Sequence, residues 1–310
     1  MTDGITGGQL RAMSYEELES LCEELRRNII ESVMANGGHL SSNLGMVELT
    51  VALHYVFDFP RDKVVFDVGH QCYAHKMLSG RAAGFAKLRK RGGVSGFPKR
   101  EESAYDCYNT GHAGTSVSAA MGIAKARDLS GKDYSVIAVI GDGSFNNGLV
   151  YEAFNSLKQL NTNILVIIND NGMSISPTVG SMHEYLGQLA TDSVEQLHRA
   201  RRADIFEKFG FDYDGVYDGN DLRAMIERLT DIKGRLKTQS VILHILTKKG
   251  KGYSFCEENP EATHGIGAKP ALEYSEVLGR QLCAMAENDG RITAVTAAMT
   301  GSLGLSRTGV

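Results

Sequence analysis

Cysteine is scarce in this 310-residue sequence and shows no pairing pattern. Cys22, Cys72, Cys107, Cys256 and Cys283 are odd in number and include no CxxC. In a chain this long they read as reduced cytosolic thiols, not as disulfide staples or zinc ligands. No apolar run approaches the roughly 18 residues that a membrane span requires. The opening stretch, MTDGITGGQLRAMSYEELES, lacks a basic segment leading into an apolar one, so no secretory signal is expected. Basic excess is missing too: 33 Lys and Arg stand against 37 Asp and Glu, a formal net charge of -4. That argues against nucleic acid or an anionic membrane as a partner. Internal repeats and low-complexity tracts are absent. The expectation is a soluble, cytoplasmic chain whose 42% apolar content supports one large α/β domain or two smaller ones.

The periodicity then sets out the elements. Ser14 and Glu17 have capping-box spacing, and Leu18, Leu21, Leu25, Ile29 and Val33 form one apolar face. Together with Gly37-Gly38 they predict a helix from about Ser14 to Asn36. A second helix follows Ser42 and ends before Pro60, and a short strand spans Lys63 to Val68. Beyond it, helices over Thr115–Leu129 and Leu149–Leu160 alternate with strands over Tyr134–Ile140 and Asn163–Ile168. RADIFEKFG and LRAMIERL read as helices, FDYDGVYDG as strand and turn, and SVILHILT as a strand. Strands alternating with helices imply βαβ units and a parallel, doubly wound sheet buried on both faces. Gly172 to Arg199 reads as a long functional or mobile loop. After Pro270 a new unit is expected, with a helix over Ser275–Glu287 and a strand over Ile292–Thr296.

Two predicted strands end in polar turns that could carry chemistry: VIGDGSFNNG and VIINDNGMS. In open parallel sheets ligands gather at the carboxyl ends of the strands. Gly141 and Gly143 permit close backbone approach, the next helix offers its N-terminal amides to an anion, and Asp142 and Asn171 are hard oxygen ligands. The pattern fits a magnesium-diphosphate site, with a plain strand-to-helix turn as the alternative. A dinucleotide fingerprint fails on spacing, because its third glycine would fall at Asn146, and no GxxxxGK[ST] occurs. Of the nine histidines, His54, His183, His198 and His244 read as structural, and the His70-x4-His75 pair lacks the glutamate of a zincin motif. His39, His70 and His112 each follow a glycine, where they serve either as turn residues or as proton carriers.

GDG followed by an asparagine resembles the thiamine diphosphate signature of transketolase-like enzymes. The blocks GGHLSSNLGMVELTVALHYVF, VVFDVGHQCYAHKMLSGR, NTGHAGTSVSAAMGIA, NDNGMSIS and TKKGKGY resemble, in order, the 1-deoxy-D-xylulose-5-phosphate synthase family, and the likeness runs from about Met13 onward. The resemblance implies the transketolase-like diphosphate-domain fold. It also implies Mg2+ held by Asp142, Asn171 and the carbonyl of Met173. Thiamine diphosphate would be contacted by His70, Gly111, His112, Ala113, Gly143, Ser144, Asn171, Lys249 and Tyr253, and His39, His70 and His264 would act on the substrate side. The implied substrates are pyruvate and D-glyceraldehyde 3-phosphate. Ser144, Asn146 and Asn147 depart from the family's usual alanine and small residues.

Within that resemblance, residues 1–270 form a diphosphate- and Mg-binding domain, and residues 271–310 open a pyrimidine-binding domain. The family's activating glutamate belongs to the latter and is not reached before Val310. Either the remainder is a separate subunit, as in split transketolases, or the sequence is a truncated piece. The expected partners are a second copy in a homodimer or a C-terminal subunit that supplies the pyrimidine domain, and the isolated chain is expected to be catalytically silent or nearly so. The rival readings are the N-terminal subunit of a split transketolase and a non-catalytic cofactor-binding homologue.

Overall fold

The computed structural model describes residues 4–175, 177–191, 204–267, 273–296, 299–300 and 303–305. Its first long helix, Tyr15–Asn36, begins at the predicted capping box. The Ser14 hydroxyl accepts the Glu17 amide at 3.2 Å while the Glu17 carboxylate accepts the Ser14 amide at 2.7 Å, so two otherwise orphaned donors are satisfied. Leu18, Leu21, Leu25, Ile29 and Val33 are all buried, and Gly37, at φ +80°, ends the helix in the left-handed region that favours glycine.

Among the described residues seven strands follow in chain order: β1 (Gly38–His39), β2 (Lys63–Phe66), β3 (Val136–Gly141), β4 (Leu165–Asp170), β5 (Phe211–Asp218), β6 (Ser240–Leu246) and β7 (Gly265–Ile266). Five of them make one parallel sheet in the order β2-β3-β4-β6-β5, and β1 pairs antiparallel with β7. Residues along β3 divide between two cores. Ile137 and Val139 pack with the helices Tyr15–Asn36, Val47–Val56 and Leu222–Arg235, whereas Val136, Ala138 and Ile140 pack with Ser116–Leu129 and Gly148–Leu160. Both faces are covered, which is why the central strands read as unbroken apolar runs. Beyond β4 the order reverses: β5 takes the edge and β6 inserts beside β4.

Two expectations are corrected. The stretch read as loop from Gly172 contains a helix, Ser181–Thr191, which buries Leu186 and Leu189. Residues 192–203, with His198, lie outside the described residues. Ile292–Thr296 forms no strand, for no neighbouring strand among the described residues offers it a ladder of hydrogen bonds. The helix before it, Tyr274–Asn288, does form, and it buries only Gly279. All five cysteines are free thiols. Among the described residues no helix is long and apolar enough to cross a membrane.

Candidate functional site

Strands β3 and β4 run in parallel register, with Gly141 opposite Asn169, so the residues just past their carboxyl ends emerge side by side. Asp142 opens a four-residue helix and is 2% exposed. Its Oδ2 accepts the Thr178 hydroxyl at 2.7 Å. Asp142 Oδ1 is buried without a hydrogen-bond partner, and so is Asn171 Oδ1. Buried acceptors are rarely left bare, because each forfeits its hydration. Burial pushes the Asp142 carboxyl up to about 6 and the charge of Asp170 adds to this, while the bond from Thr178 and the polarity of the Asn171 backbone N–H oppose it.

Two unpartnered oxygens, one from a carboxylate and one from a carboxamide, are the donor set a hard divalent cation completes. The residues present therefore fit Mg2+. Among the described residues no three His, Cys, Asp or Glu side chains assemble as a metal site, so a cation here depends on amide and carbonyl oxygens as well. Met173 lies on the turn after β4, where it bridges to Pro177, and the turn begins at Gly172, at φ +69°. The close approach of the two tips requires Gly143: a Cβ there would stand 2.7 Å from the Ser174 Cβ. Lys249 Nζ donates to the Ser174 carbonyl; burial pulls its ammonium down to about 8, against the pull of Asp142 and Glu261. Asn171, Met173 and Lys249 line a cavity of about 740 Å³ that continues past Tyr217 and Asn220.

The structure gathers His39, His70 and His264 into one cluster. Ring centroids lie 5.2 Å apart for His39–His70 and His70–His264, and 5.6 Å apart for His39–His264. The β1–β7 pairing sets His39 opposite Gly265 and so brings the late histidine to the early one. Burial holds His39 at about 4, His264 at about 3 and His70 well below its ordinary value, with neighbouring cations adding to the effect. All three are neutral at pH 7. Asn43 ties the cluster together: its amide donates to the carbonyls of His39 (2.9 Å) and His70 (2.8 Å), and its oxygen accepts the Tyr73 amide at 2.9 Å. The Ser42 hydroxyl lies 3.2 Å from His264 Nδ1, whereas His39 Nδ1 is buried without a partner. His75 falls into a different network with His54 (2.9 Å) and Asp106 (3.3 Å), so the His70/His75 spacing assembles nothing. His244 is buried in β6 between Tyr213 and Asp170, and His183 lies on the Ser181–Thr191 helix.

The glycine-rich loop that carries Gly111, His112 and Ala113 is exposed, yet its end is fixed. Asp67, buried past the end of β2, accepts the backbone amides of Gly114 (2.9 Å) and Ser116 (3.0 Å). The Asn147 amide reaches the Ala113 carbonyl at 3.4 Å, linking this loop to the segment that carries Gly143 and Ser144. Tyr253 is the N-cap residue of a short helix, Ser254–Glu258, and packs against the core. In the basic run, Lys248 pairs with Glu257 and Lys251 with Glu48. Asp67, Asn43, Ser42 and Thr178 went unnoticed in the sequence: each acts on a partner distant in the chain or on backbone groups, and no local spacing marks them.

The fold and this arrangement of strand-tip oxygens define a class: the chain has the thiamine diphosphate-binding α/β fold of transketolase-like enzymes. Transketolase from Campylobacter jejuni superimposes with a TM-score of 0.64 at 22% identity, covering 94% of this chain and 46% of the other. A Pichia stipitis transketolase in complex with sedoheptulose 7-phosphate gives 0.63 at 20% identity, covering 93% and 43%. Residues 5–204 and 192–247 match the sequence model of the 1-deoxy-D-xylulose-5-phosphate synthase family. The synthase of Nitrosomonas europaea is 44% identical over 337 residues, covering 96% of this chain and 55% of the relative. That of Desulforudis audaxviator is 45% identical, covering 98% and 54%. The chain belongs to the 1-deoxy-D-xylulose-5-phosphate synthase family, and it spans about half the length of the curated relatives it matches.

Proposed function

We propose that this chain is the diphosphate- and Mg2+-binding part of a 1-deoxy-D-xylulose-5-phosphate synthase. The whole enzyme would condense pyruvate, with loss of CO2, and D-glyceraldehyde 3-phosphate to 1-deoxy-D-xylulose 5-phosphate. The observation that carries this reading is the pair of buried, unpartnered oxygens on Asp142 and Asn171, at adjacent strand tips. With the carbonyl of Met173 they would hold Mg2+. Gly143, Ser144 and Lys249 would meet the diphosphate, Gly111, His112 and Ala113 the diphosphate or aminopyrimidine, and Tyr253 and His70 the rest of the cofactor. When bound, thiamine diphosphate supplies a nucleophilic carbon and an electron sink, which decarboxylation of a 2-oxo acid needs and no side chain provides.

On this reading the histidines handle protons. Neutral imidazoles can take a proton from a substrate hydroxyl and return one to a carbonyl oxygen. With Ser42 beside His264 Nδ1, the Nε2 of that ring would be the atom that meets substrate; in His39 the unpartnered atom is Nδ1. A substrate phosphate or carboxylate entering beside the cluster raises these low pKa values toward neutrality and strengthens the imidazoles as bases. Residues 1–270 would be the diphosphate domain and residues 271–310 the start of the pyrimidine-binding domain, with a homodimer or a C-terminal partner subunit as the proposed assembly.

Titration calorimetry tests the core of the proposal. Thiamine diphosphate should bind the purified chain with Mg2+ present and lose most of its affinity with EDTA; no binding in Mg2+ would overturn the reading. Pyruvate-dependent turnover should require a C-terminal partner bearing the activating glutamate. Ketose phosphate serving as donor in place of pyruvate would instead indicate two-carbon transfer.

A further inference from the structure

The turn after β4 doubles back and returns a side chain to the tip of β3. The amide of Thr178 donates to the Gly172 carbonyl at 3.0 Å, Met173 bridges to Pro177, and Lys249 Nζ donates to the Ser174 carbonyl. Pinned in this way, Thr178 is 8% exposed and delivers its hydroxyl to Asp142 Oδ2, 36 residues earlier in the chain. The oxygens of Asp142 are thereby made unequal. One has a donor at 2.7 Å, and the other is buried with none. A carboxylate turns about its last bond in a broad, nearly two-fold well, so nothing intrinsic to aspartate decides which oxygen faces which way. A charge-assisted hydrogen bond from a buried, backbone-fixed donor does decide it.

We propose that Thr178 is a positioning residue for the divalent cation: its hydroxyl fixes the rotation of the Asp142 carboxylate and so presents Oδ1, beside Asn171 Oδ1, as a ready-made pair of ligands. This rests on the reading of Asp142 and Asn171 as metal ligands given above. The role demands a hydroxyl at position 178 and nothing else of the side chain. Thr178→Val, nearly the same shape without the donor, removes it; Thr178→Ser, smaller but still a donor, keeps it. Outer partners of metal-ligating groups are worth about tenfold to a hundredfold in metal affinity.

The test is Mn2+ uptake by the purified full chain in saturating thiamine diphosphate, followed by electron paramagnetic resonance of free and bound Mn2+. Thr178→Val is expected to raise the Mn2+ dissociation constant about tenfold or more and to alter the spectrum of the bound ion. Thr178→Ser is expected to stay within about threefold of wild type. A melting curve on each variant separates these effects from loss of fold, and Thr178→Ala replaces the valine variant if that one does not fold. Wild-type affinity in Thr178→Val overturns the proposal. Equal weakening in the valine and serine variants does so as well, for then packing and not the hydroxyl is at stake. If wild type itself takes up no Mn2+ with thiamine diphosphate, the metal-diphosphate reading has failed and this inference falls with it.

Discussion

Replacing Asp142 by asparagine should stabilise the cofactor-free chain at neutral pH while abolishing its capacity for metal. The carboxylate is 2% exposed, and burial raises it from 3.8 to about 6. Between those values the folded chain holds a proton that the unfolded chain has released, so stability falls as pH rises and the loss is complete above about 6. At about 1.4 kcal/mol per pH unit, the interval amounts to about 3 kcal/mol. Asparagine carries no such proton. The stability of Asp142→Asn relative to wild type should therefore climb by about 2–3 kcal/mol between pH 4 and pH 7. The low histidine pKa values at His39, His70 and His264 also make stability pH-dependent, but they are common to both proteins and cancel in the difference. Urea unfolding at half-unit pH steps measures this directly. Mg2+ with thiamine diphosphate should then stabilise wild type and leave the variant unchanged, since only a folded state that binds is favoured by mass action. A stability difference that stays flat with pH, or a variant that gains as much from the cofactor, would refute the assignment of a buried, ion-seeking charge to this residue.

Two further substitutions probe the frame around the site. Glu48→Ala removes the buried partner of the Arg26 guanidinium, which is 2% exposed and keeps only the exposed Glu23 carboxylate at 2.6 Å, and it also removes one of the two acceptors of the Asn220 amide. Because Glu23 remains, the loss should stay below the roughly 3–5 kcal/mol of a fully unpaired buried charge, and an unfolding free energy unchanged from wild type would contradict the buried pairing. Asn43→Ala deletes three hydrogen bonds, one buried and two partly buried, that join the backbones of His39, His70 and Tyr73. At about 1 kcal/mol each the loss is about 3 kcal/mol, and the imidazole resonances of His39 and His70 should broaden or shift in the NMR spectrum; unchanged histidine spectra would mean that Asn43 does not hold the cluster.

What the sequence disclosed and what it withheld divide along a physical line. The Tyr15–Asn36 helix was legible to its first residue because its capping box and apolar stripe are both local. The sheet was legible because strands buried on both faces must be largely apolar, and Asp142 and Asn171 stood out in the polar turns that end two such runs. The Ser181–Thr191 helix was missed although Met182, Leu186 and Leu189 carry a helical spacing, for the glycines and polar residues around them dilute it. The expected strand at Ile292–Thr296 failed for the opposite reason: its residues suit a strand, but a strand exists only through a partner that another part of the molecule supplies.

The same division runs through the site. Ligand-bearing tips can be found by reading along the chain, but the groups that orient them cannot. Asp67 reaches Gly114 and Ser116, Thr178 reaches back to Asp142, and Asn43 spans His39 and His70. Each link closes only once the sheet has brought its strand ends together. The orienting residues are thus consequences of the fold, whereas the ligands are properties of the strand ends. This explains why Asp142 can be both an uncomfortable charge in the cofactor-free chain and a well-aimed one: burial leaves its Oδ1 bare, and Thr178 decides that Oδ1 is the atom left bare. Removing the charge should relieve the chain, and removing the hydroxyl should leave the charge buried but no longer aimed. The two substitutions should therefore move stability in opposite directions at pH 7 while both weaken the metal. A site of merely structural hydrogen bonds would not separate them in that way.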